Sequence, residues 1–251
     1  MKDEDAMTLL KRHPIFGTAP LIAEDAAGLE VLKYPPDAMV VRAGAEQRAV
    51  LVLIEGTAAL HARVRVGGRQ FLAGLVDAPS VIGDEDRHAE TPWSYSVRTA
   101  RAATFVSVPN AIVDRWIRAD ATLASALYLS ACVRASRMRN VLERMLLEPT
   151  DQQILTLLWD LSRPPAAPGD PAIAPLSQSR LARALGVDRK TIGRNIRRLT
   201  EQGVLRVQGR EASLLVDRRQ SMPAMPSLRR GVSTWRIAEF RRRRSDVPAN
   251  S

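Results

Sequence analysis

The chain has 251 residues, room for one large domain or two ordinary ones, and carries 37 Lys and Arg against 27 Asp and Glu for a formal charge of +10. Its single cysteine excludes an internal disulfide and any multi-cysteine zinc or iron–sulfur site, and suits a reducing compartment. The acidic start Met1-Lys2-Asp3-Glu4-Asp5 lacks a signal-peptide core and the longest apolar run, Ala49–Ile54, is far too short to span a bilayer, so a cytoplasmic protein with no membrane partner is expected.

The charge is one-ended. Residues 177–251 hold 18 Lys and Arg against 6 Asp and Glu, whereas residues 1–176 hold 19 against 21. Cationic side chains displace condensed counterions from phosphates, so a basic final third suits a polyanionic partner. The plainer reading is a solvated, solubilising end.

Short helices are expected at Met7–Phe16 and Ala23–Leu29. From Val31 to Val108 the signal turns to short β runs. Ala58, Leu60, Ala62 and Val64 alternate with Thr57, Ala59, His61, Arg63 and Arg65, a period of two. Gly44, Gly56, Gly67, Gly68, Gly74 and Gly83 fall between runs, which points to a barrel or roll. Asn110 to about Glu148 holds no Gly or Pro and reads as helix, stopped by Pro149. Leu127, Ala131, Arg134, Met138, Val141 and Met145 follow alternating steps of four and three, the spacing of a coiled-coil seam. That stripe either meets a second copy of the chain or packs on the roll of its own chain. Ile154–Leu161 resumes a helical pattern, the prolines from Pro164 to Pro175 form a break, and 219–251 reads as a basic, disordered tail with one helical turn at Thr234–Phe240.

The most informative stretch is Ser177 to Leu199. Ser177 suits the N-cap of a helix whose inner face is Leu181, Ala184 and Leu185; Gly186 suits a tight turn; Asp188 suits the N-cap of a second helix with inner face Ile192, Ile196 and Leu199. Arg189, Lys190, Arg194, Arg197 and Arg198 remain outside. Gly203 ends the helix, and two β runs, Val204–Gln208 and Ala212–Val216, flank a turn at Gly209-Arg210. Helix, turn, helix and wing is an architecture that puts its second helix in the major groove of duplex DNA, where Arg can pair with guanine. The candidate DNA-contacting residues are Ser177, Ser179, Arg189, Lys190, Thr191, Arg194, Arg197, Arg198 and Arg210, with the recognition helix over 189–201.

Here the sequence resembles the Crp/Fnr family of transcription regulators, over about residues 9–216. Arg189-Lys190-Thr191-Ile192-Gly193-Arg194 is similar to that family's Arg-Glu-Thr-Val-Gly-Arg recognition helix, and Leu53-Ile54-Glu55-Gly56 resembles a turn of its β-roll. The resemblance implies an α+β protein: a double-stranded, cyclic-nucleotide-binding-like β-roll over 1–118, a dimerisation helix over 119–148, and a winged helix-turn-helix over 149–218, before the tail. It implies that Arg189 and Arg194 read guanines and that position 190 contacts the base between them. Lys190 stands where the family has Glu, and a lysine cannot accept from cytosine N4, so the half-site should differ there.

Cyclic-nucleotide binders of this family carry a Glu for the ribose and an Arg for the cyclic phosphate. This chain offers Gly83, Asp84, Trp93 and Ser94, with Arg98 the nearest alternative cation. Asp84 is a weak stand-in for the Glu and Trp93 cannot replace the Arg, so cyclic AMP is not expected; the effector, or its absence, stays open. The expected partners are double-stranded DNA at a palindromic site, a second copy of the chain as homodimer, and RNA polymerase.

Other signals are weaker. Asp84, Glu85, Asp86, His88 and Glu90 are dense in acids, but nothing else completes a catalytic constellation, so neither catalytic nor metal-binding residues are expected. His13, His61 and His88 show no ligand spacing. Cys132 suits a small apolar helix position. The alternative function is an effector-binding module that holds nucleic acid non-specifically through the basic third.

Overall fold

The structure, a computed structural model, describes residues 5–63, 70–162 and 170–215. The expectations for the tail, 219–251, lie outside those residues. Two compact units divide the chain. Among the described residues, one is built from those up to Leu60 and from Leu75 to Ser136; the other joins those of His61–Gly74 to those from Arg137 to 215.

The first unit opens with α1 (Ala6–Arg12), capped by Asp5, whose carboxylate accepts from the Met7 amide at 2.6 Å. The helix stops earlier than its apolar pattern suggests. His13 precedes Pro14, whose ring disfavours helical geometry at the residue before it, and His13 is extended. Phe16–Thr18 and Ala23–Gly28 are 3-10 turns.

Eight strands follow along the chain, the end of β4 and the start of β5 being counted with the second unit: β1 (Glu30–Tyr34), β2 (Met39–Val41), β3 (Ala49–Glu55), β4 (Thr57–Arg63), β5 (Gln70–Asp77), β6 (Ser80–Ile82), β7 (Ser96–Thr99) and β8 (Ala103–Pro109). They form two four-stranded sheets ordered β1-β8-β3-β6 and β2-β7-β4-β5. A short helix α2 (Asp84–His88) leaves β6. The apolar run in β3 has a physical reason. Val50 and Val52 join a core with Leu10, Phe16, Trp116 and Leu127, while Leu51 and Leu53, which alternate to the opposite face, are buried as well. A strand covered on both faces cannot alternate with polar residues.

The expected single helix from Asn110 is two: α3 (Asn110–Ala119) and α4 (Ala121–Leu147). Asp120 between them is extended, and its carboxylate accepts from the Thr122 amide at 2.8 Å, an N-cap placed inside a helical pattern. Trp116 is fully buried and donates through Nε1 to Asp25 at 2.8 Å. Arg115 also pairs with that carboxylate, which leaves Asp25 buried but partnered.

The second unit contains α5 (Thr150–Leu161), β9 (Ala172–Pro175), α6 (Gln178–Leu185), α7 (Arg189–Glu201), β10 (Leu205–Gln208) and β11 (Glu211–Leu214). The three strands form one antiparallel sheet ordered β10-β11-β9. Strand β9 falls inside the segment that reads as a proline break. Proline is tolerated there because β9 is an edge strand and Pro175 its last residue.

Candidate nucleic-acid interface

The second unit presents α6 and α7 on a small apolar core. Leu181, Ile192, Ile196 and Leu199 are buried with Ile154 and Leu158 of α5 and with Leu205, Ala212 and Leu214 of the sheet. Both helix starts are satisfied locally. Ser177 Oγ accepts from the Arg180 amide at 3.4 Å, and Asp188 accepts from the Thr191 amide at 2.8 Å. Between the helices Gly186 adopts φ 67°, a left-handed conformation that ends α6 and turns the chain toward α7.

With Ile192, Ile196 and Leu199 inward, helical geometry puts Lys190, Arg194 and Arg197 on the opposite face, and all three are exposed. Arg189 is exposed at the helix start, Ser179 is exposed on α6, and Arg210 is exposed at the turn of the wing. Thr191 and Ser177 are half-buried, as befits residues engaged in caps. The Thr191 hydroxyl donates to Asp188 at 2.6 Å and accepts from Arg194 Nη2 at 3.2 Å. These bonds to Thr191, side chain first and backbone second, hold the Asp188 carboxyl below its ordinary range. The cap therefore stays ionised and Arg194 starts from an ordered position.

Arg198 has a different use. It lies on the flank of α7, beside Thr191 and Asn195, and its Nη2 reaches Asp151 of α5 at 2.6 Å and Asn195 Oδ1 at 3.1 Å. Asn195 in turn donates to the Thr191 carbonyl at 2.9 Å. Asp151 and Asn195 were not legible as interface residues, because only the approach of α5 to α7 gives them a part. Arg206, exposed on β10, was likewise passed over, although its place beside the wing turn was readable.

Residues 152–220 match the family described as Crp-like helix-turn-helix domain. The chain carries a Crp-like helix-turn-helix. Solved structures share its fold. The c-di-GMP-responsive global regulator CLP of Xanthomonas campestris aligns at 20% identity and TM-score 0.67, over 76% of this chain and 96% of its own. A transcriptional regulator of the Crp/Fnr family from Eubacterium rectale aligns at 13% identity and TM-score 0.67, over 79% and 93%. FixK2 of Bradyrhizobium japonicum aligns at 16% identity and TM-score 0.61, over 77% and 95%. The architecture is thus the Crp/Fnr one, an N-terminal β-roll cassette with a C-terminal helix-turn-helix. No curated protein matches the chain.

In this Crp/Fnr-type fold the roll's candidate effector residues are mutually engaged. Gly83 takes φ 89° at the start of α2, and a Cβ there would overlap the ring of Trp93, which is itself buried. Asp86 accepts from the amide of Ser94 at 3.0 Å and from its hydroxyl at 2.5 Å. Arg98 is engaged with Asp37, donating to its carbonyl at 2.7 Å and pairing with its carboxylate at 3.5 Å. Asp84 pairs with Arg134 of α4, which also reaches Glu85 at 2.7 Å and the Val81 carbonyl at 2.7 Å. Burial works against the Arg134 charge, but Asp84 and Glu85 outweigh it and hold its pKa above the ordinary value. Burial, then Glu85 and Asp86, push the Tyr95 hydroxyl up to about 12, so it remains a neutral donor. One acceptor is left: Asp84 Oδ2 is buried with no hydrogen-bond partner among the described residues. No group of three or more metal-ligating side chains occurs among the described residues, and no described helix is long and apolar enough to cross a membrane.

The stripe expected to meet a second copy points inward. Leu127 belongs to the core of the first unit and Arg134 to its acidic corner. Val141 and Met145 line a cavity of ≈ 40 Å³ with Leu157 and Leu185 in the second unit, and Ala131 and Met138 are half-buried. The outward face of α4 lies one residue further on. Tyr128, Cys132, Ala135, Arg139, Leu142 and Leu146 are all exposed, Tyr128 by 72% and Leu146 by 82%. Their steps are also four and three in alternation, so sequence spacing alone does not choose between the two stripes.

Proposed function

We propose that the protein is a homodimeric, sequence-specific, double-stranded DNA-binding transcription regulator, with α7 in the major groove. The observation that carries this reading is the outward face of α7: Lys190, Arg194 and Arg197 exposed together on a helix capped by Asp188 and reached through the turn at Gly186. Such a helix offers point charges to phosphates and forked donors to guanine O6 and N7. Arg189, Lys190 and Arg194 are assigned to bases. Arg197, Arg210, Ser177 and Ser179 are assigned to phosphates, and Arg198 to holding α7 against α5.

One recognition helix per chain reads one half-site, and a palindrome needs two. We assign the two-fold contact to the outward stripe of α4, Tyr128 through Leu146. Tyr128, Leu142 and Leu146, exposed large apolar side chains with small Cys132 and Ala135 between them at coiled-coil spacing on a 27-residue helix, fit a parallel copy of themselves. Arg139 within the stripe is partly neutralised by Glu143 at 3.7 Å. The protein is read as cytoplasmic, non-enzymatic and without a bound metal, with RNA polymerase as partner at its promoters. The buried Trp93 against Gly83 argues against cyclic AMP.

Selection of bound duplexes from a random pool tests the reading. The expected product is a palindrome with half-site centres about 34 Å apart. Recovery of unrelated sequences would instead favour non-specific binding by the basic third.

A further inference from the structure

The polar groups in the roll's acidic corner belong to one cluster drawn from elements distant in sequence. Val81 comes from β6, Asp84 and Glu85 from α2, and Arg134 from the middle of α4. The Arg134 guanidinium places Nη1 on the Val81 carbonyl, Nη2 on Asp84 and Nε on Glu85. Asp84 is 1% exposed and Arg134 is 9% exposed. The space beside Gly83 is occupied by the Trp93 ring.

We propose that Arg134 is a built-in occupant of this corner, joining α2 and β6 to α4 so that the specific DNA binding of this protein needs no small molecule. The proposal rests on the DNA-binding reading above and adds how that activity is regulated.

The physical case has three parts. A guanidinium that meets an acceptor from each of its three nitrogens is held at three points, a geometry that restrains a helix both along and around its axis. Removing a buried cation leaves two carboxylates beside one another without compensation, so the arrangement with Arg134 in place is strongly preferred over one without it. An anionic ligand would meet the carboxylates of Asp84, Glu85 and Asp86, with Arg134 already committed to two of them and Arg87 to Asp114, and the flat apolar ring of Trp93 fills the space beside Gly83. A helix held from within its own chain needs no external ligand to hold it.

The experiment strips the full-length protein of small molecules by unfolding and refolding under dialysis. Its affinity for the selected duplex is then measured with and without the small-molecule fraction of a cell extract, and with cyclic AMP as a defined probe. Stripped protein should bind within twofold of the protein as isolated, and neither addition should change that by more than twofold. Arg134→Gln should weaken specific binding tenfold or more, while sedimentation and the thermal transition report whether it remains a folded dimer. Glu85→Gln removes one arm at a position 32% exposed at the side chain. It should therefore fold in any case, and it should weaken binding severalfold. Restoration of stripped protein by the extract would overturn the proposal, and Asp84 Oδ2 would then be the first place to look for the ligand. Unchanged binding in both variants would overturn it too. If no form binds any selected duplex, the DNA-binding reading fails instead.

Discussion

Arg198 of the recognition helix and Asp151 of α5 meet at 2.6 Å, 47 residues apart in sequence. The pair ties α7, the helix proposed to enter the major groove, to α5. Arg198 is 52% exposed and Asp151 23%, so the pair contributes little to stability, about 0–1 kcal/mol. Its value is in placement. Asp151→Asn should leave the melting temperature almost unchanged, lower the ratio of specific to random binding, and steepen the salt dependence by about one ion as the freed Arg198 finds a phosphate. A salt titration on both duplexes measures all three; an unchanged ratio would show that Asp151 does not place the helix.

Arg194 is assigned to a base, and a substitution tests the assignment. Arg194→Ala should lose about 1–3 kcal/mol on the selected site and relax the preference for guanine at one position. On random DNA the loss should be smaller if the side chain faces base edges, as proposed. Equal losses on the two duplexes would remove Arg194 from the groove.

Lys190 faces the same way, and an ammonium cannot accept a hydrogen bond. Lys190→Glu should shift the preferred base at the intervening position toward cytosine, whose N4 donates, and a repeated selection with the variant would reveal it.

The outward stripe of α4 contains Cys132, the only cysteine of the chain, and it is exposed. In the proposed dimer, with its two-fold axis through that stripe, the two Cys132 thiols would face each other. Mild oxidation should therefore give a covalent dimer that reducing agent reverses and Cys132→Ser abolishes. In the Cys132→Ser background, a cysteine at Leu127 should not cross-link, because that position lies in the core of its own chain. Leu142→Glu with Leu146→Glu should yield a monomer by sedimentation with the thermal transition retained. Cross-linking at 127 but not at 132 would return the contact to the inward stripe.

His13 is 3% exposed, and burial lowers its pKa from 6.5 to about 4. The folded state thus binds this proton less readily than the unfolded chain. The stability contributed by keeping His13 neutral is fully present above about pH 6.5 and is lost as pH falls toward 4, on the order of 3 kcal/mol. His13→Gln should be less stable at neutral pH, since Nδ1 accepts from the Ile15 amide at 3.2 Å, but should lose less stability between pH 6.5 and 4 than the unaltered protein. Denaturant titrations across that range decide it; parallel curves would assign the acid sensitivity to other groups.

The sequence by itself determined what short-range chemistry controls. Asp188 as a cap, Gly186 as a turn, and Ile192, Ile196 and Leu199 as an inner face are local facts within one or two helical turns, and they put α7 at Arg189–Glu201 without any knowledge of neighbours. The one-ended charge was likewise a matter of counting. Tertiary structure decided everything that depends on which surfaces meet. Two stripes of α4, offset by one residue, share the same four-and-three spacing; burial of Leu127 in the roll's core chose which one faces inward. Asp120 breaks a helical pattern with a cap that looks like an ordinary helix residue in sequence. Strand β9 exists because β11 offers it a partner, with Ala174 opposite Ala212. Arg134, a seam position by its spacing, is the cation of an acidic corner fifty residues upstream. Periodicity reports that a face is apolar, but the identity of the group across from a side chain is a property of the folded arrangement, set by how sheets and helices close on one another.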